Sequence, residues 1–207
     1  MGRSESYSSR PVSKEITWHQ GRVTSVERAR LLEQEPATIW LTGLSGSGKT
    51  SLAFQLERKL TQRNYLCAVL DGDNLRHGLN RDLGFTPDDR TENIRRAAEV
   101  ARLFNQVGLI VITAFISPYA RDREAARRII GEDQFLETYL TADLATCEAR
   151  DPRGLYAKAR SGLISEFTGV SAPYDVPENP ALSLDTASRP IDECVQKMLE
   201  MLSPRLR

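Results

Sequence analysis

The string GLSGSGKT at residues 43–50 constrains the fold of this chain more than any other feature. It satisfies the pattern G-x-x-x-x-G-K-[ST], and it lies between an apolar run at residues 38–42 and a stretch of helical hydrophobic spacing at residues 52–60. Glycines have no Cβ, so the backbone can curl around phosphate oxygens with its N–H groups pointing inward. The motif therefore predicts a phosphate-binding loop that joins a buried strand to the N-terminus of a helix.

The rest of the chain alternates between short apolar runs and amphipathic stretches, which is typical of βαβ units around a parallel sheet. The hydrophobic spacing predicts helices after the phosphate loop, before the third strand and at the end of the chain. We therefore predict an α/β fold, a doubly wound parallel sheet flanked by helices, with the most apolar run at its centre. The predicted strands are residues 38–42, 66–70, 109–115 (the most apolar run), 135–140 and 182–184.

Length and composition favour one domain. A chain of 207 residues with 40% hydrophobic content can bury one sizeable core but is short for two catalytic domains. We predict a flexible, Ser-rich tail at residues 1–15 and a single domain at residues 16–207, in which residues 16–24 dock onto the body. A basic segment with few large aliphatic residues, at about residues 151–169, is predicted to be a mobile lid.

The charge balance and the cysteines limit the partners and the compartment. Lys plus Arg and Asp plus Glu both total 28, so the overall field that draws proteins onto nucleic acid is weak. No apolar run approaches the roughly 20 residues that span a bilayer, so no membrane contact is expected. Three widely spaced cysteines favour a reducing compartment. These features together predict a cytoplasmic protein.

The phosphate loop has the side chains needed to bind ATP. Lys49 is predicted to bridge the β- and γ-phosphates, and the Thr50 hydroxyl to complete the shell of a Mg²⁺ ion, with Ser51 near the α-phosphate. Arg150, at the start of the lid, is predicted to reach the same nucleotide. The predicted ATP-binding set is Gly43, Leu44, Ser45, Gly46, Ser47, Gly48, Lys49, Thr50, Ser51 and Arg150.

Two carboxylates, Asp71 and Asp73, follow the second predicted strand. The carboxyl ends of parallel strands form the edge at which such sheets bind ligands. One carboxylate is expected to hold Mg²⁺ through a bound water, a role assigned to Asp71 with Thr50. The other is expected to accept a hydrogen bond from an attacking hydroxyl and then its proton. The structural alternative is a turn in which both side chains bond only their own backbone.

A phosphate loop by itself does not identify a reaction, because GTPases, ATPases and small-molecule kinases all contain one. A GTPase would carry a base-reading Asn-Lys-x-Asp segment after a late strand, and the sequence has none. The paired carboxylates and the basic lid are instead what a kinase requires.

The order of several further strings resembles the adenylylsulfate kinase (APS kinase) family from about Ile16 to the final helix. The strings are TIWLTGLSGSGKT, LDGDNLRHGLNRDLGF, RTENIRR, AFISPYARDR, RDPRGLYAKAR and FTGVSAPYDVP. This resemblance implies an enzyme that uses MgATP to phosphorylate the 3′-hydroxyl of adenylylsulfate. It also implies a homodimer and, as a possible partner, an ATP sulfurylase.

The resemblance also implies which residues surround adenylylsulfate. Arginine forks suit phosphate and sulfate oxygens, and aromatic faces stack on adenine. We expect Phe85 and Phe167 to hold the ring between them. The alternative for each arginine is that it is a solvent-exposed charge on a helix surface and does not contact the ligand. The expected substrate-binding set is Asp73, Asn74, Arg76, Phe85, Arg90, Asn93, Ile116, Ser117, Arg153 and Phe167.

The lid string departs from the family at two positions where similar proteins often have Lys. Arg153 keeps the charge with a different geometry, whereas Ala157 removes a charge. The cations that remain to cover phosphates on closure are Lys158, Arg150 and Arg160.

Two alternatives remain at this level. One is a kinase for a nucleoside monophosphate or a sugar acid, and the other is a catalytically silent nucleotide-binding subunit. Intact Lys49, Thr50, Asp71 and Asp73 favour catalysis. Ser117 has two possible roles, a covalent relay of the phosphoryl group or a hydrogen bond to the acceptor nucleotide. We expect the second, because no activating base is evident near Ser117.

Overall fold

Five parallel strands form one sheet in the computed structural model, which describes residues 15–17, 19, 21–151 and 153–207. The order across the sheet is β2-β3-β1-β4-β5. All neighbouring pairs are parallel, so the carboxyl ends of the strands share one edge. The strands are β1 (Thr38–Thr42), β2 (Cys67–Asp71), β3 (Ile110–Ala114), β4 (Phe135–Leu140) and β5 (Leu182–Leu184).

The strands match the sequence-based predictions closely. The bounds of β1, β4 and β5 agree, whereas β2 starts and ends one residue later than predicted and β3 is one residue shorter at each end. The predicted central strand is wrong, because β1 and not β3 is the third of the five. Both strands are buried along their whole length, so hydrophobic content alone does not distinguish the centre from its neighbour.

Eight α-helices and a short 3₁₀ helix are present in the described residues. Sequence spacing predicts α2, α4 and α8 but not α1, α3, α5, α6 or α7. In α5, the large apolar residues of the buried face are confined to the last turn, at Ile129 and Ile130, and the earlier buried positions are Asp122, Arg123 and Ala126. The helices are α1 (Ser25–Leu32), α2 (Lys49–Thr61), α3 (Gly72–Leu75), α4 (Pro87–Gln106), α5 (Ala120–Ile130), α6 (Leu144–Arg150), α7 (Leu155–Arg160), α8 (Ile191–Leu202) and the 3₁₀ helix Ser203–Arg205.

The sheet separates two hydrophobic clusters. On one face, Leu52 and Leu56 of α2 and Met198 of α8 pack together with strand residues. On the other, Ile94 of α4 belongs to a cluster with Trp40 of β1 and residues of α5. Each fully buried aliphatic side chain contributes about 1.5–3 kcal/mol. Helices on both faces confirm the doubly wound fold and leave the carboxyl edge of the sheet as its ligand-binding side.

Part of the N-terminal segment lies within the described residues. All the described residues between positions 16 and 24 are exposed, including Ile16 and Val23. Trp18 and Gln20 lie outside the described residues, so the docking of this segment stays a prediction. The predicted flexible tail lies, except for Glu15, outside the described residues. Within the described part of the chain, no helix is long and apolar enough to cross a membrane.

Candidate active site

The predicted phosphate loop connects β1 to α2 at the carboxyl edge of the sheet. Its backbone needs glycine at two positions for different reasons. Gly48, the N-cap residue of α2, has φ of 93°, and Gly46 has φ of 78°. A Cβ on Gly46 would also lie 2.7 Å from the carbonyl oxygen of Cys147, on α6. The loop can therefore keep this curvature only without side chains at these positions.

Lys49 lies across the inside of this loop. Its ammonium group donates hydrogen bonds to the carbonyl oxygens of Gly43 at 2.8 Å and Leu44 at 2.6 Å, and to Ser47 Oγ at 3.3 Å. The residue is 8% exposed, and burial lowers the pKa of Lys49 to about 8. A compact cation held among oxygen acceptors at a helix N-terminus is suited to binding phosphate oxygens.

Thr50 and Asp71 meet at the start of α2 and the end of β2. Thr50 Oγ1 donates to Asp71 Oδ2 at 2.8 Å. The other carboxylate oxygen, Oδ1, caps α3 by accepting from the backbone N–H groups of Asp73 at 2.9 Å and Asn74 at 3.2 Å. These caps orient Asp71 so that one oxygen faces the threonine hydroxyl. Two hard oxygen donors, completed by phosphate oxygens and water, fit the coordination that Mg²⁺ prefers.

The far side of the phosphate loop is connected to the end of the sheet by Thr186, which sequence reasoning missed. Thr186 Oγ1 donates to the carbonyl oxygen of Ser47 at 2.8 Å, and its own carbonyl oxygen accepts from Arg150 at 2.6 Å. The only signal in the sequence is that Thr186 follows β5 at the ligand edge. Arg150 is thereby held next to the loop, whereas Ser51 is exposed on α2.

The predicted lid contacts the phosphate loop directly. Tyr156 of α7 donates its hydroxyl hydrogen to the carbonyl oxygen of Ser45 at 2.9 Å. Asp151 supports this helix by accepting from the backbone N–H groups of Leu155 and Tyr156, both at 2.8 Å. Sequence reasoning missed both side chains, since neither contact can be inferred from local spacing.

The lid also has hydrophobic packing that its composition does not suggest. Tyr156 is 1% exposed, and its ring meets Phe167 edge-on at 4.9 Å between centroids. Both belong to a small cluster with Ala142 and Cys147. Tyr156 of α7 and Phe167 are therefore part of a packed cluster within the predicted lid. The mobility of the lid stays a prediction, and Pro152 lies outside the described residues.

Asp73 and Arg153 form an ion pair between α3 and the lid. Arg153 Nη1 lies 2.6 Å from Asp73 Oδ2, and both side chains are exposed. An exposed pair of this kind contributes only about 0–1 kcal/mol, so a ligand can displace it. Two other cations of the lid have different surroundings. Arg160 forms an ion pair with Glu148 at 3.1 Å, and Lys158 is exposed.

On the acceptor side, Arg76 supports Phe85. Its Nη1 donates to the carbonyl oxygens of Leu83 at 2.9 Å and Gly84 at 2.8 Å, and its guanidinium lies 4.3 Å from the centroid of the Phe85 ring. Phe85 is 63% exposed. Phenylalanine side chains are more often buried than exposed to this extent. One face of the Phe85 ring packs on the guanidinium, so the other face is available to stack on a base.

Arg90 connects the two predicted adenine-binding segments. It donates to the carbonyl oxygens of Phe85, at 2.9 Å, and Glu166, and to Thr168 Oγ1 at 3.1 Å. The arginine therefore joins the residues on either side of Phe167 to the loop that carries Phe85. Arg76 and Arg90, the two predicted anion-binding arginines, both donate hydrogen bonds to protein acceptors. Their contact with a ligand stays a prediction.

The remaining predicted acceptor residues lie around these arginines. Asn93, on the same face of α4 as Arg90, is 6% exposed and accepts a hydrogen bond from Asn80 Nδ2 at 2.9 Å. Asn74 is exposed on α3, and Ile116 is half-buried after β3. Roles in binding substrate stay predictions for all three.

Ser117 occupies the turn after β3 with φ of 40°, in the left-handed region that is uncommon for serine. Its buried hydroxyl donates to Thr42 Oγ1 at 2.9 Å and accepts from Trp40 Nε1 at 3.2 Å. Its carbonyl oxygen accepts from Arg123 Nη1 at 2.9 Å. Neither partner of the hydroxyl is a base, so these contacts favour a role in holding the turn over a covalent relay.

Comparison with known proteins agrees with this geometry. Residues 35–185 match the family model described as Adenylylsulphate kinase. The chain belongs to this family. An adenylyl-sulfate kinase of Bacteroides fragilis is 54% identical over 184 residues, which are 89% of this chain and 91% of the relative. One from Bacillus licheniformis is 50% identical over 196 residues, 95% of this chain and the whole of the relative.

A solved adenylylsulfate kinase structure also resembles this chain. It is the Mycobacterium tuberculosis APS kinase in complex with AMPPNP and APS, which superposes with a TM-score of 0.79 at 48% sequence identity. The similarity covers 82% of this chain and 99% of that chain. The likeness in fold and sequence therefore extends over nearly all of that adenylylsulfate kinase.

Proposed function

We propose that this chain is an adenylylsulfate kinase that transfers the γ-phosphoryl group of ATP to the 3′-hydroxyl of adenylylsulfate. The products are ADP and 3′-phosphoadenylylsulfate, an activated form of sulfate. One observation carries the proposal: Lys49, Thr50 and Asp71 meet at one edge of the sheet in a member of this family. An intact constellation of this kind also weighs against a catalytically silent subunit.

The donor half of the mechanism belongs to the phosphate loop. The backbone N–H groups of the loop and the N-terminus of α2 bind the phosphates, and Lys49 exchanges its bonds to Gly43 and Leu44 for phosphate oxygens. Thr50 and Asp71 would hold Mg²⁺, which neutralises charge on the β- and γ-phosphates when bound. The Lys49 cation and the partial positive charge of the α2 N-terminus stabilise the transition state because they are in place before reaction.

The acceptor half requires a group near the attacking hydroxyl. In our proposal the ion pair between Arg153 and Asp73 first opens. Asp73 then accepts a hydrogen bond from the 3′-hydroxyl of adenylylsulfate. The hydroxyl oxygen attacks phosphorus, the bond from phosphorus to the β,γ-bridging oxygen breaks, and ADP leaves with that electron pair. The proton passes to the Asp73 carboxylate and then to solvent. Arg76, Phe85, Arg90 and Asn93 hold the adenylylsulfate in line.

The test is a coupled assay of ADP release with adenylylsulfate, AMP and gluconate offered separately to the purified chain. Release with adenylylsulfate alone, abolished by EDTA and restored by Mg²⁺, supports both the substrate and the metal. Equal rates with AMP or gluconate would overturn the acceptor assignment. No release with any acceptor would favour a regulatory subunit.

The assembly and location of the protein are part of the same proposal. We place the enzyme in the cytoplasm as a homodimer, with ATP sulfurylase as a candidate partner. Light scattering of the purified chain measures its mass directly, and a monomeric mass across micromolar concentrations would contradict the dimer. Co-elution with a purified ATP sulfurylase tests the partner.

A further inference from the structure

Asn80 is a buried amide with an unusual hydrogen-bond pattern. The residue is 0% exposed and lies in the loop between α3 and α4. Its Nδ2 donates to Asn93 Oδ1 at 2.9 Å. Its Oδ1 is buried and has no hydrogen-bond partner among the described residues. Leaving a buried carbonyl oxygen unpaired costs about 1–3 kcal/mol, so native proteins seldom keep such a group without a use for it.

Burial does not explain an amide at this position. An apolar side chain of similar shape would fill the space and avoid the unpaired oxygen. In the described residues, the side chain of Asn80 forms one hydrogen bond, the one to Asn93. The polar side chain of Asn80 therefore serves its hydrogen bond to Asn93.

That bond determines which end of the Asn93 amide stays available. An asparagine side chain has one carbonyl acceptor and one N–H donor group. With Oδ1 of Asn93 bound to Asn80, its Nδ2 donates no hydrogen bond within the described residues and is not among their buried unpartnered atoms, so it keeps contact with solvent. Asn93 consequently presents a donor. Turning the Asn93 amide over while Asn80 keeps its orientation would place two N–H₂ groups face to face. Turning both amides over would bury an unpaired N–H₂ group on Asn80, and buried N–H groups without a partner are rarer in proteins than under-satisfied carbonyl oxygens.

We propose that Asn80 is a positioning residue that locks the Asn93 side chain as a hydrogen-bond donor toward the acceptor nucleotide. The ligand atom that meets Asn93 must then be an acceptor, such as a phosphate or sulfate oxygen or a ring nitrogen, and not the exocyclic amino group of adenine. This inference rests on the proposed function, since it uses the placement of adenylylsulfate beside Asn93 and Arg90.

The distinguishing variant is Asn80→Leu, which keeps the volume and removes both polar atoms. We expect its KM for adenylylsulfate to rise about three- to tenfold, the effect of one misaligned neutral hydrogen bond, with KM for ATP unchanged. Its thermal midpoint should change little, because the variant removes the unpaired oxygen of Asn80 but leaves Asn93 Oδ1 without its partner. A purely structural role predicts a lower midpoint with no selective change in KM.

The matched control is Asn105→Leu, another buried asparagine, on α4. Asn105 has its amide paired with Thr38 Oγ1 and with the carbonyl oxygens of Ala37 and Leu109, away from the ligand edge. Its replacement should lower the thermal midpoint without a selective rise in KM for adenylylsulfate. A selective rise in this control as well would remove the evidence for a specific role of Asn80.

A double-mutant cycle separates this inference from the proposed function. Asn80→Leu should have no further effect on KM for adenylylsulfate in the Asn93→Ala background, since no amide then needs orienting. Additive effects would overturn the inference. If wild-type protein phosphorylates adenylylsulfate and Asn80→Leu leaves its KM unchanged, the inference fails alone. If wild-type protein does not phosphorylate it, the proposed function fails.

Discussion

The two halves of the candidate site are built in different ways. The donor half consists mainly of one continuous loop, residues 43–50, with its lysine buried and bonded to the loop backbone, and Asp71 joins it from the end of β2. The acceptor half is assembled from separate segments around Phe85, Arg90, Asn93 and Phe167, with Phe85 largely exposed. The donor half is thus pre-organised by local backbone geometry, and the acceptor half by long-range side-chain contacts. Damage to the first should reduce turnover, and damage to the second should reduce affinity.

The largest expected effect is at Lys49, in the donor half. Lys49→Ala removes the cation that stabilises charge on the β- and γ-phosphates, so kcat should fall about 10²-fold or more. The fold should survive, because the loop glycines and the helix N-terminus remain. Steady-state kinetics with circular dichroism on the purified variant checks both parts. Near-normal turnover would contradict the placement of ATP in this loop.

An intermediate effect is expected at Phe85, in the acceptor half. Phe85→Ala removes an exposed stacking surface, which predicts a loss of about 1–3 kcal/mol, or about tenfold to a hundredfold in adenylylsulfate affinity, with ATP affinity retained. Separate calorimetric titrations of the two nucleotides measure the difference. Phe54→Ala, which removes another partly exposed ring on α2, is the matched control and should change neither affinity. Equal loss of both nucleotides at Phe85 would break the division between the two halves.

The smallest effect is expected at Ser117, between the two halves. Ser117→Ala should keep substantial turnover at saturating substrate and lose about 0.5–1.5 kcal/mol of adenylylsulfate affinity. It should also lower the thermal midpoint, because Trp40 Nε1 loses its buried acceptor. Kinetics, thermal unfolding and the stereochemistry of transfer from a chiral γ-phosphate are the measurements. Inversion is expected; an inactive variant together with retained configuration in the wild type would identify a covalent intermediate.

Different parts of the site were predictable to different degrees. The phosphate loop and Asp71 could be located from the sequence because they follow directly after apolar strands. Tyr156 and Thr186 could not, since their partners lie 111 and 139 positions away along the chain. Asn80 could not either, because its contact with Asn93, 13 positions away, depends on how the loop before α4 folds back onto that helix. The lid shows both cases: its basic character is visible in the sequence, whereas the packing of Tyr156 on Phe167 is not.

The sequence by itself determined the class of fold, the position of the phosphate loop and the family. These depend on hydrophobic periodicity and on short motifs, whose physics is local. Tertiary structure alone decided that β1 is central in the sheet. It also decided that Arg90 bonds to Thr168, 78 positions from it, and that Tyr156 bonds to Ser45, 111 positions from it. Such contacts arise only when the packed sheet brings distant segments to one edge, because no local preference selects one distant polar partner over another.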